Sequence, residues 1–277
     1  MGSQRCVGRL LVHEYGDPAQ PVLLVLHGLT DSGQCWTDLV DRLGSAYRIV
    51  APDALGHGGS DRFTVEELAC DDPIEEMYAA TEKVLEDIGP ALVVGHSMGG
   101  AMAAALAARR PDLVGAVVLE DPAWLDESRW GDEEEVVGQR VAGARFAAAD
   151  PEGAIAQCRG EHPTWPESEL RPWARAKADL DEAFLLSGVA VLGTPWREIA
   201  ADVRPPTLVV TGDHEVILHE VLLAEVSGLN PRFEVEVVDG AAHCARRDRG
   251  DAFHGVVDEW LASHPVRAAV SPRRPRG

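Results

Sequence analysis

Short apolar segments alternate with helical segments along most of the chain. Residues 22–26 are all apolar and lie between Pro21 and His27, which predicts a strand that is buried on both faces. Residues 34–43 carry apolar side chains at helical spacing. Residues 73–88 form a second helical segment that begins with proline, a residue favoured at the first position of a helix.

The other predicted strands are equally short and are rich in valine, leucine and alanine. They cover residues 9–14, 47–51, 91–95, 115–120, 207–211 and 233–238. Buried strands that alternate with helices are typical of a parallel sheet with helices on both faces. The pattern therefore predicts an α/β fold with a mostly parallel, doubly wound sheet.

Segment 122–205 interrupts this alternation, because it contains helical patterns but no convincing strand. The helical patterns cover residues 133–149, 151–159, 167–183 and 195–201. Five of the seven tryptophans also lie in this segment: Trp124, Trp130, Trp165, Trp173 and Trp196. A helical, aromatic insertion between two strands predicts a cap over the carboxyl edge of the sheet, where open α/β sheets bind ligands. The alternative is that the tryptophans form the core of the cap itself.

These patterns predict a division of the chain into two parts. Residues 1–121 and 206–277 form the core in this division, and residues 122–205 form the helical cap. The end of the core, residues 266–277, is basic and contains prolines, so it is predicted to be a disordered tail.

Composition and charge limit the kinds of partner. The 277 residues carry a formal charge of −21, which repels phosphate backbones and anionic lipids and argues against nucleic-acid and membrane binding. No apolar run approaches the roughly 18 to 20 residues that span a bilayer, and the N-terminus lacks the apolar core of a signal peptide. The five cysteines are widely spaced without a C-x-x-C pair, which is typical of reduced thiols and predicts a cytoplasmic protein. No metal site is predicted, because no His or Cys stands among the acidic runs at ligand spacing.

A serine stands at the junction between a predicted strand and a helical segment. Residues 95–99 read Gly-His-Ser-Met-Gly, after an apolar run and before an alanine-rich stretch. In this context Gly-x-Ser-x-Gly is typical of a nucleophile elbow, whose strained backbone exposes the serine hydroxyl. Ser97 is therefore the candidate nucleophile. The backbone N–H of Met98 stands at the start of the helix and can face a developing oxyanion.

A serine hydroxyl needs a base, a group that orients the base, and donors for the oxyanion. His243 is the candidate base, because it ends a loop of small residues after the last predicted strand and so reaches the carboxyl edge of the sheet. The second oxyanion donor is expected after the first buried strand, at Leu29, where the preceding Gly28 permits close approach to a substrate. His27 and Trp124 are expected to contact the substrate.

Two residues are the main candidates for the acid that orients His243. Asp121 ends one predicted strand and Glu215 follows the next. Both lie at the carboxyl edge of the sheet, where either carboxylate could hold the imidazole in the required tautomer. Asp121 is favoured, since Pro122 fixes the direction of the chain after it. Asp213 and Glu120 are further alternatives.

Four motifs make the chain resemble the α/β-hydrolase superfamily over about residues 8–264. In chain order they are His-Gly-Leu-Thr at 27–30, Asp-Ala-Leu-Gly-His-Gly-Gly-Ser at 53–60, Gly-His-Ser-Met-Gly-Gly at 95–100 and Gly-Ala-Ala-His at 240–243. The resemblance implies a nucleophile–acid–histidine order, a helical lid after the sixth strand and no cofactor. In many members the acid follows the seventh strand as Gly-x-x-Asp, where this chain has Glu215; in others it follows the sixth strand, where this chain has Asp121. Ser97 excludes members with an aspartate nucleophile, such as epoxide hydrolases and dehalogenases.

These residues predict a cytoplasmic serine hydrolase that cleaves a carboxylic ester or a lactone. The tryptophan-rich cap favours a bulky, largely apolar small molecule as substrate. The same triad could instead cleave a carbon–carbon bond, a thioester or an amide, or carry out a cofactor-free peracid reaction. A catalytically silent member that binds a hydrophobic ligand is the alternative from a different class. The sequence does not decide between a monomer and a homodimer.

Overall fold

The computed structural model describes residues 2–70, 72–126, 134–189 and 191–265 of the chain. The predicted tail at residues 266–277 and Trp130 lie outside the described residues. Within them, eight strands form one sheet: β1 (Ser3–Val7), β2 (Leu10–Tyr15), β3 (Val22–Leu26), β4 (Arg48–Pro52), β5 (Ala91–His96), β6 (Val114–Glu120), β7 (Thr207–Gly212) and β8 (Phe233–Val238).

The helices of the described residues lie between these strands and after the last one. They are α1 (Thr37–Leu43), α2 (Val65–Leu68), α3 (Pro73–Ile88), α4 (Met98–Arg109), α5 (Glu134–Ala149), α6 (Pro151–Glu161), α7 (Glu167–Ala178), α8 (Glu182–Leu186), α9 (Trp196–Asp202), α10 (Glu220–Leu229), α11 (Ala245–Asp248) and α12 (Gly250–Ser263). In this described part of the chain, no helix combines the length and the apolar character needed to cross a bilayer.

The sheet is parallel except at one edge. Its strands lie in the order β1-β2-β4-β3-β5-β6-β7-β8. Each neighbouring pair from β4 to β8 is parallel, whereas β2 pairs antiparallel with both β1 and β4. The prediction of a mostly parallel α/β sheet is therefore confirmed.

Helices cover both faces of the sheet, and this burial explains the continuous apolar strands. Successive side chains of a strand point to opposite faces, so Val93 and Val94 of β5 enter two different apolar clusters. Val93 packs with residues of α3 and α4, such as Leu85 and Leu106. Val94 packs in the cluster that holds Phe253 of α12. A strand in this position is therefore apolar along the stretch that helices cover on both faces.

The segment between β6 and β7 holds α5 to α9. The helix predicted at residues 167–183 is two helices, because α7 ends at Ala178 and α8 begins at Glu182. Asp181 separates them, since its side chain accepts a hydrogen bond from the backbone of Ala183 and so caps α8. The division of the chain into a core and a cap stays a prediction.

Candidate active site

Ser97 occupies a sharp turn between β5 and α4. Its backbone has φ 54° and ψ −116°, a conformation that a non-glycine residue adopts only when its surroundings hold it there. Two hydrogen bonds do so: the Ser97 N–H donates to the carbonyl of Glu120 at 2.9 Å, and the Ser97 carbonyl accepts from the N–H of Ala123 at 2.9 Å. The turn is therefore tied to the end of β6.

The glycines on either side of Ser97 make the turn possible. A Cβ at Gly95 would lie 2.2 Å from the carbonyl oxygen of Gly99, and a Cβ at Gly99 would lie 2.1 Å from that of Leu26. Contacts this short with backbone atoms do not occur. The turn therefore requires glycine at both positions, as the elbow motif predicts.

Asp121 forms the first residue after β6 and contacts His243 directly. The fully buried Asp121 carboxylate accepts a hydrogen bond from His243 Nδ1 at 2.5 Å. It also accepts from the Thr211 hydroxyl at 2.9 Å and from the backbone N–H groups of Ile217 at 2.9 Å and Leu218 at 3.0 Å. Since Nδ1 carries the proton in this arrangement, Nε2 is the ring nitrogen that can accept one.

Ser97 and His243 line the same cavity, whose volume is about 430 Å³. The carboxyl edge of the sheet contributes one wall through the loops after β3 and β8 and helix α11, including Leu29 and Arg247. Helices α5 to α7 and the loop between α6 and α7 contribute the opposite wall, which is formed by Arg140, Glu161, His162, Trp165, Trp173 and Lys177. A substrate in this cavity would contact both the sheet edge and the inserted helices.

The carboxylates of the other candidate acids do not accept a hydrogen bond from the His243 ring in the described structure. Glu215 is exposed, although it also lines the cavity. Asp213 is exposed and accepts hydrogen bonds from the backbone of Gly240 and from His214. Glu120 is buried on the other side of the backbone and accepts from the N–H of Arg246. Of these carboxylates, the one that the structure brings to His243 is that of Asp121.

The two expected oxyanion donors lie on either side of Ser97. Met98 begins α4, and Leu29 lines the cavity on the loop after β3. Gly28 lets this loop pass close to the turn, because a Cβ there would lie 3.3 Å from the Ser97 Cβ. His57 Nε2 donates to the Leu29 carbonyl at 2.7 Å, which fixes the orientation of the peptide. Burial lowers the pKa of His57 to about 4.

His27 braces the same loop rather than facing the cavity. Its Nδ1 donates to the carbonyl of Gly28 at 2.8 Å, and its Nε2 accepts from the N–H of Ala54 at 2.9 Å. Burial lowers the pKa of His27, which agrees with a neutral ring that both donates and accepts. Both ring nitrogens are thus occupied, and the expectation that His27 contacts substrate does not match its position.

Trp124 is also placed away from the cavity. Its ring is 2% exposed and stacks on Trp196 at 5.1 Å between centroids and on Phe233 at 5.9 Å. The indole completes the apolar core beneath α9, so it is not available to substrate. The tryptophans that line the Ser97 cavity are Trp165 and Trp173. The expectation for Trp124 is corrected accordingly.

The sequence that includes these site residues matches a known protein family. Residues 22–256 match the model of the alpha/beta hydrolase family. The chain belongs to the alpha/beta hydrolase family. The match includes the three residues Ser97, Asp121 and His243.

Individual alpha/beta hydrolases are similar over most of the chain. This chain is 35% identical over 209 residues to lipase LipV of Mycobacterium tuberculosis, and the matched region covers 71% of this chain and 74% of the lipase. It is 28% identical over 248 residues to the 2-(acetamidomethylene)succinate hydrolase of Mesorhizobium japonicum, covering 86% of each. The crystal structure of the enol-lactonase from Burkholderia xenovorans superposes with a TM-score of 0.70 at 23% identity, over 94% of this chain and 100% of that one. This last likeness shows the fold alone.

A buried charge cluster, which sequence reasoning missed, joins the inserted helices to α11, the helix that follows His243. Glu169 of α7 accepts hydrogen bonds from Arg246 at 2.8 Å and from Arg247 at 2.5 Å, and Arg247 also contacts Asp31 at 3.1 Å. Each of these side chains is at most 4% exposed. The adjacent arginines three and four positions after His243 are visible in the sequence, but their partners are distant along the chain.

One group of side chains in this hydrolase has the composition of a metal site. The donor atoms of His96, Glu120 and Cys244 lie within 4.8 Å of one another, and all three residues are buried. His96 Nε2 donates to the carbonyl of His243 at 3.1 Å, so Nδ1 carries the lone pair of the ring. However, the Arg246 guanidinium lies 3.4 Å from Glu120, and burial raises the pKa of the Cys244 thiol. A nearby cation and a protonated thiol both oppose metal binding.

Proposed function

We propose that the chain is a serine hydrolase that cleaves a carboxylic ester or a lactone through an acyl-enzyme. One observation carries the proposal: His243 is hydrogen-bonded through Nδ1 to the buried Asp121 carboxylate and lines the cavity that contains the strained Ser97. A base with a fixed tautomer next to an exposed hydroxyl is the arrangement that serine acyl transfer needs.

In the first step, His243 Nε2 takes the proton from the Ser97 hydroxyl as the oxygen attacks the carbonyl carbon. Asp121 stabilises the imidazolium that forms. The N–H groups of Leu29 and Met98 donate to the oxyanion of the tetrahedral intermediate. His243 then gives its proton to the leaving oxygen, which departs as an alcohol and leaves the acyl group on Ser97.

In the second step, a water molecule takes the place of the alcohol. His243 removes its proton while the oxygen attacks the acyl carbon, and the Ser97 oxygen leaves with that proton. An ester yields an acid and an alcohol, whereas a lactone yields a single hydroxy acid. The relative named as a lipase supports the ester as substrate class. We also propose a cytoplasmic location, because the five cysteines are free thiols.

A panel of p-nitrophenyl esters tests the proposal. We expect the wild-type protein to release p-nitrophenol, and we expect Ser97→Ala to reduce kcat by about 10³-fold or more. The matched control is Ser227→Ala, since Ser227 is exposed on α10 and is not among the residues that line the cavity. Unchanged turnover in Ser97→Ala would contradict the proposed function, and so would a wild-type protein that only binds the esters.

A further inference from the structure

The chain uses lysine at only two of its 25 Lys and Arg positions, Lys83 and Lys177. Lys83 is exposed on α3. Lys177 stands in the last turn of α7 and lines the cavity that contains Ser97 and His243. Lys177 is therefore placed to contact a molecule that enters this cavity.

The Lys177 ammonium has no anionic partner among the residues that the structure describes. Its Nζ lies over the ring of Trp173, 4.8 Å from the centroid, where the π-face attracts a cation. Arg247, a cation on the facing side of the same cavity, behaves differently, because it is paired with both Asp31 and Glu169. Lys177 thus presents an ammonium group whose N–H donors are left for another molecule.

The surroundings of Lys177 make an unpaired charge unfavourable. The side chain is partly buried, and this burial lowers the pKa of the ammonium, while Asp31 raises it and Arg140 lowers it further. A charged group that is removed from water is stabilised by an opposite charge at hydrogen-bond distance. A bound anion would supply that charge.

The acidic residues of the same cavity are mostly engaged with the protein. Asp31 is paired with Arg247. The Asp248 carboxylate accepts from the indole N–H of Trp165 at 2.7 Å and from the backbone of Ala242 at 3.0 Å. The exposed Glu215 lines the cavity on the core side rather than on the α7 side. Glu161, at the end of α6, is exposed and accepts a hydrogen bond from Gln157 at 2.8 Å. Of the two α7 residues that line the cavity, Trp173 and Lys177, the one that can bind a ligand ion is therefore cationic.

We propose that Lys177 binds a carboxylate of the substrate, remote from the carbonyl that Ser97 attacks. The substrate is then an ester or lactone that also carries a free acid group, with its apolar segment against Trp173. This inference rests on the proposed function, because it assigns one end of the substrate of that site. The substrate proposed here differs from the largely apolar one that the sequence predicts, because one of its ends is anionic.

Two series of esters that differ only in the charge of the far end provide the kinetic test. The anionic series is the monophenyl esters of glutaric, adipic and pimelic acid, and the neutral series is phenyl pentanoate, hexanoate and heptanoate. We expect at least one anionic ester to have the higher kcat/KM in the wild-type protein. In Lys177→Met, the ratio of kcat/KM between the anionic and neutral members should fall about 10- to 100-fold, mostly through KM.

Two further variants separate charge from structure. Lys177→Arg keeps the charge and should keep most of the preference, whereas Lys83→Met removes the other lysine and should leave the ratio unchanged. An equal loss on both series in Lys177→Met, or the same ratio in Lys177→Met as in the wild-type protein, would overturn the proposal.

A binding measurement separates this inference from the proposed function. In a Ser97→Ala, Lys83→Arg protein labelled with ¹⁵N-lysine, Lys177 gives the single side-chain ammonium signal from lysine. Monophenyl adipate should shift this signal and raise the pKa of Lys177, and phenyl hexanoate should do neither. A shift without ester hydrolysis by the wild-type protein would retain the carboxylate site and reject the esterase. Equal responses to the two esters, or no response to either, would reject the carboxylate site.

Discussion

The two walls of the cavity that contains Ser97 are held by different kinds of interaction. On the sheet side, strand ends and tight turns position Ser97, Asp121 and His243, and backbone N–H groups hold the Asp121 carboxylate. On the side of the inserted helices, side chains position one another: Glu169 pairs with buried arginines, and Lys177 lies over Trp173. The geometry for the proposed chemistry thus depends on backbone conformation, whereas the inserted helices are held by pairs of side chains.

This difference gives the walls different sensitivities to substitution. A conservative change on the sheet side alters the reacting groups themselves, so it should abolish turnover while the protein stays folded. A change on the side of the inserted helices removes a contact between two segments, so it should alter stability or substrate preference. The predictions below test this contrast.

The largest effect is expected for Asp121→Asn. An amide of the same size cannot hold His243 in the tautomer whose Nε2 accepts the serine proton, and kcat should fall by about 10³- to 10⁴-fold. Steady-state hydrolysis of a p-nitrophenyl ester measures this. Glu215→Gln, at the rival acid position, should change kcat less than about threefold, as expected for an exposed residue outside the triad. If the two variants were reversed in effect, the acid would be Glu215.

A smaller effect, on stability rather than chemistry, is expected for Glu169→Gln. The substitution leaves Arg246 and Arg247 with one fewer buried negative charge, and it should lower the free energy of unfolding by about 3–5 kcal/mol. Urea denaturation measures this change. The control is Glu167→Gln on the same helix, because the pair of Glu167 with Arg159 is exposed and should matter far less. Equal stability of the two variants would show that the buried cluster does not hold α7 to the core.

The third prediction concerns the pH dependence of stability and involves Glu120, whose carboxylate contacts Arg246 of the buried charge cluster. When Glu120 is included, carboxyl groups outnumber guanidinium groups: Asp31, Glu120 and Glu169 against Arg246 and Arg247. Glu120 Oε2 accepts no hydrogen bond in the described structure. Burial raises the pKa of Glu120 to about 7 from an ordinary value of 4.5, although Arg246 opposes the shift.

Between these two pKa values the folded protein keeps a proton on Glu120 that the unfolded chain has lost. The free energy of unfolding should therefore fall as the pH rises from about 4.5 to about 7, by up to about 3 kcal/mol at 1.36 kcal/mol per pKa unit. Glu120→Gln imitates the protonated form and should lack this fall. Urea denaturation at pH 5 and pH 7.5 compares the two proteins, and an identical pH dependence would contradict the assignment.

The sheet side could be predicted from the sequence because its requirements are local. Residues 95–99 must contain glycine where a Cβ has no room, and β3 is apolar throughout because helices cover both of its faces. The bounds of β3, α3 and β8 agree with the prediction. Strand β1 was not predicted, since its sequence, Ser-Gln-Arg-Cys-Val, is polar and partly exposed at the edge of the sheet.

The side of the inserted helices could not be predicted in the same way. Which tryptophans face the cavity depends on how α7 and α9 pack, so Trp124 was expected where Trp165 and Trp173 lie. The pairing of Glu169 with Arg246 joins residues 77 positions apart, and no periodic pattern marks such a contact. Charged residues are expected at the surface, so the burial of this pair became visible only in the structure.

The most direct test of the proposed chemistry is covalent labelling with a fluorophosphonate, followed by mass spectrometry of the digested protein. A phosphonyl group should appear on the peptide that contains Ser97. Labelling should be much slower in Asp121→Asn and absent in Ser97→Ala. Labelling of a different serine, or equal labelling of the wild-type and Ser97→Ala proteins, would contradict the assignment of Ser97 as the nucleophile that His243 and Asp121 activate.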